Sequence, residues 1–303
     1  MKGPATVIGI DVGGTKIAAG TVSLPTGARS ASRLVPTLAE RGGGAVLDDV
    51  IQLVRELAAT AVAAGHTVAA IGVGICELVD RDGRLASDNC IRWLDLPVEA
   101  ELARIAPVRI EADVRAAALA EARMGAGQGM DPFLYVTVGT GISCCLMTGG
   151  RPFLGAHGVT GTMASSPLDA ECPACGHPDR RTLEEIASGP ALVARFNAAG
   201  GSATRGHDVI AAARAGDGRA IDVVRTAATA LGSQVGLLVN ILDPAAVIIG
   251  GGLGLSEGPY WDNLVLAIRR GIWAEAHRGI PIRRAETGAD ACWLGAALAA
   301  AEW

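Results

Sequence analysis

A glycine-rich segment near the start of the sequence has the residue types that bind phosphate groups. It follows an apolar strand pattern and reads Asp11-Val12-Gly13-Gly14-Thr15-Lys16. Backbone N–H groups of the glycine pair can approach phosphate oxygens closely because glycine has no Cβ. The threonine and lysine add a hydroxyl and a positive charge, and the aspartate suits Mg²⁺ bound through water. The pattern therefore favours a phosphate site over the plainer interpretation, a tight hairpin turn with a surface lysine.

A second segment repeats this arrangement about half the chain later. Residues 133–147 contain an apolar strand pattern, the turn Gly139-Thr140-Gly141 and a second apolar strand pattern. Residues 6–22 have the same order around the first glycine pair. Two such hairpins, each opening an α/β segment, predict two similar domains that flank a cleft.

Asp113 stands directly before a predicted helix. It lies in Glu111-Ala112-Asp113-Val114-Arg115, between a predicted strand over 108–110 and a predicted helix over 114–124. An aspartate directly before a helix is most often an N-cap. The positive end of a helix dipole also favours the ionised form of such a carboxylate.

The remaining patterns place these segments in an α/β protein. The other predicted elements are a helix over 46–64, a strand over 68–75, a helix opening at the capping-box pair Thr182 and Glu185, a helix over about 220–242, a strand over 246–249 and a helix over 293–301. We expect an N-terminal domain over 1–114 and a larger C-terminal domain over 115–290. The last helix, over about 291–303, is expected to pack back on the N-terminal domain.

Composition excludes several classes of partner. The 303 residues are 50% hydrophobic with a formal net charge of −5, and no basic run stands out, which argues against nucleic acid or an anionic membrane. Every long apolar stretch contains glycine or charge, so no membrane span is expected. Seven cysteines at irregular spacing indicate thiols and at most one metal clip, not a disulfide framework. A cytoplasmic protein is expected.

Five segments, in the same order as in the family, resemble the ROK family (repressors, open reading frames, sugar kinases) within the actin/hexokinase/Hsp70 superfold. They are the first phosphate motif Asp11–Lys16, the second phosphate loop Gly139-Thr140-Gly141, the segment 187–192, the nucleotide-binding turn Ile249-Gly250-Gly251-Gly252 and the terminal Gly295-Ala296-Ala297. The resemblance implies two domains of the actin-like ATPase (ribonuclease H-like) fold. It also implies ATP and Mg²⁺ as cofactors and, because the family is commonly dimeric, a homodimer.

The resemblance further assigns roles to individual residues. It implies that Asp113 deprotonates the 6-hydroxyl of a hexose as that hydroxyl attacks the γ-phosphorus of ATP. It implies that Asn89 and Glu184 contact the sugar. Without it, Asn89 would be an ordinary turn residue, and Glu184 a first-turn carboxylate favoured by the helix dipole.

The sequence departs from the family pattern mainly around the sugar. The family's asparagine before the catalytic aspartate is Ala112, its sugar-binding glutamate is Thr162, and a zinc-binding histidine is Ser165. The family's Pro-Gly is Cys76-Glu77, which adds a carboxylate. A carboxylate favours a substrate ammonium, so we expect Glu77 to select an amino sugar such as kanosamine. Glucose or another neutral hexose remains the alternative.

Two other functions are possible for a chain of this family. A non-catalytic sugar-binding protein would explain the altered sugar residues but not the retained Asp113. A sugar-sensing repressor would carry a helix-turn-helix domain before the first phosphate motif, which here begins within a dozen residues of Met1.

The family's zinc motif is also incomplete. Cys172 and Cys175 are present with His177 nearby, but Thr182 stands at the last cysteine position. Structural zinc takes four ligands, so we expect no zinc; a clip through Cys172 and Cys175 is the alternative.

Overall fold

Most of the chain belongs to helices and strands. In the computed structural model the described residues are 4–24, 26–165, 167–168, 170–171 and 178–302. The strands are β1 (Ala5–Val12), β2 (Lys16–Ser23), β3 (Arg29–Pro36), β4 (Thr67–Ile75), β5 (Val108–Ala112), β6 (Phe133–Val138), β7 (Ile142–Thr148), β8 (Arg151–Pro152), β9 (Ala170–Glu171), β10 (Pro178–Asp179), β11 (Ala246–Gly250) and β12 (Ile282–Arg284). The helices are α1 (Gly43–Ala63), α2 (Val98–Ala103), α3 (Asp113–Met124), α4 (Leu183–Ala187), α5 (Gly189–Ala198), α6 (Gly206–Arg214), α7 (Gly218–Leu242), α8 (Pro259–Gly271), α9 (Glu275–Arg278) and α10 (Ala291–Ala301).

These elements form two units. Unit 1 comprises Met1–Gln128, Gly150–Thr160 and Ala289–Trp303, and unit 2 comprises Gly129–Gly149 and Gly161–Gly288. The first division follows Gln128, so α3 belongs with unit 1, whereas the sequence analysis placed the boundary after Val114. The α/β class predicted from the sequence is confirmed.

The sheet of unit 1 has the strand order β3-β2-β1-β4-β5. The predicted first hairpin is confirmed: β1 and β2 pair antiparallel, with Val12 opposite Ile17. In contrast, β4 runs parallel to both β1 and β5. Parallel strands end at the same edge of a sheet, and this edge is where α/β proteins usually bind ligands. Asp11, Glu77 and Asp113 therefore come together at the ends of three neighbouring strands.

Helices cover both faces of this sheet. On one face α1 buries Val50, Val54 and Leu57 against the apolar side chains of the strands. On the other face α10 lies so close that a Cβ on Gly9 or Gly72 would collide with its backbone carbonyls. These glycines permit a close backbone approach, and α10 also packs on α3. The packing rigidly supports the strands that carry the aspartates.

The sheet of unit 2 contains the second predicted hairpin. Four of its strands follow the order β12-β11-β6-β7, with β6 and β7 antiparallel and β11 parallel to β6 and β12. The long helix α7 packs along α8 and buries Leu231, Val235 and Val239. At the start of α4 the predicted capping box is confirmed, because Glu185 N donates to Thr182 Oγ1 at 3.3 Å while Thr182 N donates to the Glu185 carboxylate.

The described helices give no membrane span. None of them is both long and apolar enough to cross a bilayer.

Candidate functional site

Two carboxyl groups meet at the carboxyl edge of the unit 1 sheet. Asp11 is the second-last residue of β1, and Asp113 follows β5 directly. Burial raises the pKa of Asp11, although a hydrogen bond with the Cys292 thiol and the positive charge of Lys16 act in the opposite direction. Oxygen ligands of this kind, partly buried beside a glycine hairpin, fit a hard cation such as Mg²⁺.

Asp113 has the chemistry of a general base. Burial and the nearby charge of Asp11 raise the pKa of Asp113 to about 7, against the hydrogen bond that its Oδ1 accepts from Val114 N at 2.5 Å. The helix begins at Asp113 itself, with Ala112 as the N-cap residue, so Asp113 does not take the predicted N-cap position. Its carboxylate still lies at the positive end of α3. A base whose pKa lies near neutral pH is well suited to proton transfer.

The first glycine hairpin is held by backbone contacts. Gly13 N donates to Lys16 O at 3.1 Å, and the Thr37 hydroxyl donates to Gly13 O at 2.6 Å. A Cβ on Gly14 would lie 2.5 Å from Cys90 Sγ, so the hairpin packs against the segment that contains Cys90. Thr15 and Lys16 are exposed at the turn, as a phosphate site requires.

Glu77 is placed differently from the sequence expectation. Its side chain is 4% exposed, and its carboxylate accepts hydrogen bonds from the Ser87 hydroxyl and from the backbone N–H groups of Asn89, Cys90 and Ile91. A carboxylate has about four lone-pair sites, and these four donors occupy them. The expected contact of Glu77 with a substrate ammonium therefore has no acceptor left.

Three cysteines at this edge were not identified as site residues from the sequence. The thiols of Cys76 and Cys90 hydrogen-bond each other, which raises the pKa of Cys76 and lowers that of Cys90 to about 7. Burial raises the pKa of Cys292, whose thiol contacts Asp11. No spacing in the sequence relates Cys292 to the other two, because α10 brings it here from the end of the chain.

In unit 2 the second glycine turn is fastened to a helix start. Gly139 N donates to Gly141 O at 2.9 Å, and Gly189 N, at the start of α5, donates to Gly139 O at 2.8 Å. Glu184 is exposed, and one of its carboxylate oxygens accepts a hydrogen bond from Ile142 N at 2.9 Å. Exposed Thr140 and the start of α5 thus form a candidate anion site with the turn.

The Gly250-Gly251-Gly252 turn lies beside the second glycine turn. Gly251 has φ +80°, and a Cβ there would collide with Val138, which explains the glycine. The His207 ring bonds Gly252 O through Nε2 at 2.9 Å. His207 was missed in the sequence analysis because only the fold brings α6 to this turn.

The sequence analysis also singled out Thr162 with Ser165, and the cysteines of a possible zinc clip. Thr162 is exposed, and its carbonyl accepts a hydrogen bond from Ser165 N in a short 3-10 turn. Cys172 and Cys175 lie outside the described residues. Within the described part of the chain, no group of three or more His, Cys, Asp or Glu side chains could hold a metal ion.

The fold and these glycine turns define a class of protein. Two mixed sheets, each with a glycine-turn hairpin, match the actin-like ATPase fold of ROK kinases. The ROK family model matches residues 7–302, and the chain belongs to the ROK family.

Proteins similar in sequence include a glucokinase from Streptomyces coelicolor. It is 32% identical over 268 residues, which cover 81% of this chain and 81% of the relative. Among solved structures, a ROK hexokinase from Thermus thermophilus has a TM-score of 0.78 and 34% identity, and the match covers 98% of each chain. A ROK glucokinase from Streptomyces griseus in complex with glucose and AMPPNP has a TM-score of 0.83 and 30% identity, covering 98% of this chain and 100% of that one.

Replacing Asp113 with asparagine should stabilise the protein above neutral pH. Because the folded-state pKa is raised to about 7 from the ordinary value of 3.8, the ionised carboxylate opposes folding. This unfavourable contribution is absent below pH 4, grows between pH 4 and 7 and is constant above pH 7. In metal-free buffer, the melting temperature of Asp113→Asn should therefore exceed that of the wild type at pH 8 by several degrees, and match it at pH 4.

Asp48→Asn is the matched control, since Asp48 is exposed on α1. Equal melting temperatures of wild type and Asp113→Asn at pH 8 would show that Asp113 has an ordinary pKa.

Proposed function

We propose that this protein is an ATP-dependent kinase that phosphorylates the 6-hydroxyl of a hexose. The observation that carries the proposal is the place of Asp113 directly after β5, at the same sheet edge as Asp11, in a chain of the ROK family. Burial and the charge of Asp11 also raise the pKa of Asp113 to about 7. The relatives named glucokinase and hexokinase support the proposal. Asp113 accepts the proton of the sugar hydroxyl as that oxygen attacks the γ-phosphorus.

The glycine turns are proposed to bind the nucleotide. Gly13 and Gly14, with Thr15 and Lys16, present backbone N–H groups, a hydroxyl and a charge to phosphate oxygens. In unit 2 we assign this role to Gly139, Thr140 and Gly141, and nucleotide contact to Gly251 and Gly252. Asp11 would hold Mg²⁺ through water; bound Mg²⁺ neutralises charge on the phosphates. Most of the rate acceleration in phosphoryl transfer comes from such positioning and charge stabilisation.

Asn89, Thr162 and Glu184 are the proposed sugar contacts. All three side chains are exposed, as residues that await a ligand must be. Thr162 and Glu184 belong to unit 2, and Asn89 lies in the segment that Glu77 holds in unit 1.

The geometry favours a neutral hexose over an amino sugar. Selection of kanosamine depended on a free Glu77 carboxylate, and its lone pairs are occupied by four donors of the protein. The Streptomyces relatives named glucokinase support glucose. We therefore propose glucose as the first substrate to test, with kanosamine and glucosamine as the amino-sugar comparison.

A panel of sugars tests this function. Purified protein with ATP and Mg²⁺ should release ADP with glucose, and ³¹P–¹H NMR should place the phosphate on the 6-oxygen. Asp113→Asn should lower kcat at least about a hundredfold, since loss of a general base has effects of this size. For the wild type, kcat/KM should fall as the pH drops below about 7, because the protonated carboxyl cannot accept the hydroxyl proton.

Two outcomes would contradict the proposal. Turnover of kanosamine or glucosamine at a much higher kcat/KM than glucose would reverse the substrate assignment. ATP turnover by Asp113→Asn within threefold of the wild type would remove Asp113 as the base.

Two variants test whether the backbone of Gly14 binds phosphate or whether Gly14 only makes room for Cys90. Alanine there brings its Cβ against Cys90 Sγ, so Gly14→Ala should raise the KM for ATP at least fivefold. The same substitution in a Cys90→Ala protein has room for the new methyl group. If the backbone of Gly14 binds phosphate, the KM for ATP rises there too, because the methyl group obstructs the approach of the nucleotide. Full recovery of ATP kinetics in the double variant would mean that Gly14 only makes room for Cys90.

A homodimer is proposed from apolar side chains on unit 2. Leu237 and Ile241 on α7 are exposed, and Trp273, just after α8, is 84% exposed. Asn240 of α7 fixes the backbone at the end of α8. Its Oδ1 accepts a hydrogen bond from Trp273 N at 2.9 Å, and its Nδ2 donates one to Gly271 O at 2.8 Å. An ordered, exposed tryptophan beside aliphatic side chains is typical of a protein interface.

Light scattering coupled to gel filtration tests the dimer. The wild type should have twice the chain mass, and Trp273→Asp should have the mass of one chain. Leu34→Asp, which changes an exposed leucine of β3 in unit 1, should stay dimeric. A monomeric wild type would refute self-association, and a dimeric Trp273→Asp would place the interface elsewhere.

A further inference from the structure

Glu77 makes an unusual set of hydrogen bonds for a buried carboxylate. Its Oε2 accepts from the Ser87 hydroxyl at 2.5 Å and from Asn89 N at 2.9 Å. Its Oε1 accepts from Cys90 N at 2.5 Å and from Ile91 N at 2.8 Å. Three successive backbone N–H groups thus converge on one anion, as they do in anion-binding nests, but here the anion belongs to the chain itself.

These hydrogen bonds keep Glu77 ionised inside the protein. Burial alone would raise the pKa of Glu77, yet the donors from Ser87, Ile91, Asn89 and Cys90 together lower it below its ordinary value. Hydrogen bonds to an ionised acceptor are roughly twice as strong as neutral ones. The four donors therefore bind the segment 87–91 firmly to the end of β4.

The chain after this segment is held in a conformation that it would not adopt alone. Arg92 has φ 60°, in the left-handed region, where a residue with a Cβ is strained. On its far side, buried Trp93 donates from Nε1 to Gly43 O at 2.8 Å. Leu94 N donates to Asp88 Oδ1 at 3.2 Å, a hydrogen bond that links the residues before and after Arg92. Such strain persists only where surrounding contacts fix the backbone, and Glu77 supplies the contacts on the side of β4.

The fixed segment joins two parts of the proposed site. Asn89 is the proposed sugar contact, and its own N–H is one of the donors to Glu77. The next residue, Cys90, lies against Gly14 of the first glycine hairpin. A shift of residues 89–91 would therefore move Asn89 and Cys90 together relative to that hairpin.

We propose that Glu77 is a positioning residue, which holds the segment 87–91 so that Asn89 is presented to the sugar. This inference rests on the proposed sugar kinase function and gives Glu77 a role other than contact with the substrate. Glu77 touches neither sugar nor nucleotide; it acts through the backbone of residues 89–91.

Kinetics of Glu77→Gln test this role. The carboxamide nitrogen cannot accept a hydrogen bond, so two of the four contacts are lost and an N–H donor faces other N–H donors. We expect the KM for glucose to rise at least tenfold while kcat changes less than threefold, and glucose and glucosamine to lose kcat/KM equally. Ser87→Ala is the matched control: it removes one donor and leaves the three backbone donors, so the KM for glucose should change less than threefold.

Two kinetic results would overturn the proposal. A Glu77→Gln protein with unchanged KM would show that the segment keeps its place without the carboxylate. A loss confined to glucosamine would show that Glu77 contacts the substrate amine.

Hydrogen exchange provides a test that is independent of activity and of whether Glu77→Gln folds. In the wild-type protein without ligands, the amides of Asn89, Cys90 and Ile91 should exchange at least a hundredfold more slowly than unstructured amides. Rapid exchange of these three amides in the wild type would overturn the proposal. If the wild type is slow but phosphorylates no sugar, the kinase function fails while the anchoring by Glu77 stands.

Discussion

The repulsion between two carboxyl groups at one sheet edge is the constraint on which the site depends. Asp11 lies near the end of β1 and Asp113 follows β5, with β4 between these parallel strands, and burial together with the charge of Asp11 raises the pKa of Asp113. Separation would relieve this repulsion, but β1, β4 and β5 are paired in one sheet, and α10 packs directly on Gly9 of β1 and Gly72 of β4. The unfavourable electrostatics of the aspartates is thus maintained by apolar packing on the far face of the sheet.

Two carboxyl groups at this edge, Glu77 and Asp113, differ in the hydrogen bonds that they accept and in the direction of their pKa shifts. Glu77 and Asp113 both follow strands, and Glu77 is buried whereas Asp113 is half-buried. Four donors lower the pKa of Glu77, whereas burial and the charge of Asp11 raise the pKa of Asp113 to about 7 against the hydrogen bond from Val114 N. Hydrogen-bond donors therefore distinguish a carboxylate that organises backbone from one able to accept a proton.

The glycine turns of unit 2 present backbone groups to a ligand, whereas the sheet edge of unit 1 presents carboxylates. The turn at Gly139–Gly141 is tied to the start of α5, and the turn at Gly251 requires a left-handed glycine beside Val138. Backbone N–H groups and helix starts recognise phosphate without titrating, so they bind anions across a broad pH range.

The sequence by itself determined the α/β class, both hairpins and the ROK family, and it identified Asp11 and Asp113 as candidate site residues. The class, the hairpins and Asp11 follow from local patterns of strand periodicity and adjacent glycines, whereas the family and the role expected of Asp113 follow from motifs that resemble those of the ROK family. It also predicted the capping box at Thr182, since both partners lie within one turn.

Only the tertiary structure decided which donors reach Glu77 and that Cys292 and His207 lie near the two sets of glycine turns. The sequence analysis expected Glu77 to face a ligand because it follows a predicted strand. That position does not show which hydrogen-bond donors reach the side chain. Its partners lie 10 to 14 residues away in a segment without regular structure. Cys292 reaches Asp11, and His207 reaches Gly252, through helices that pack from distant parts of the chain. Such contacts are set by the packing of whole elements, and no local pattern encodes them.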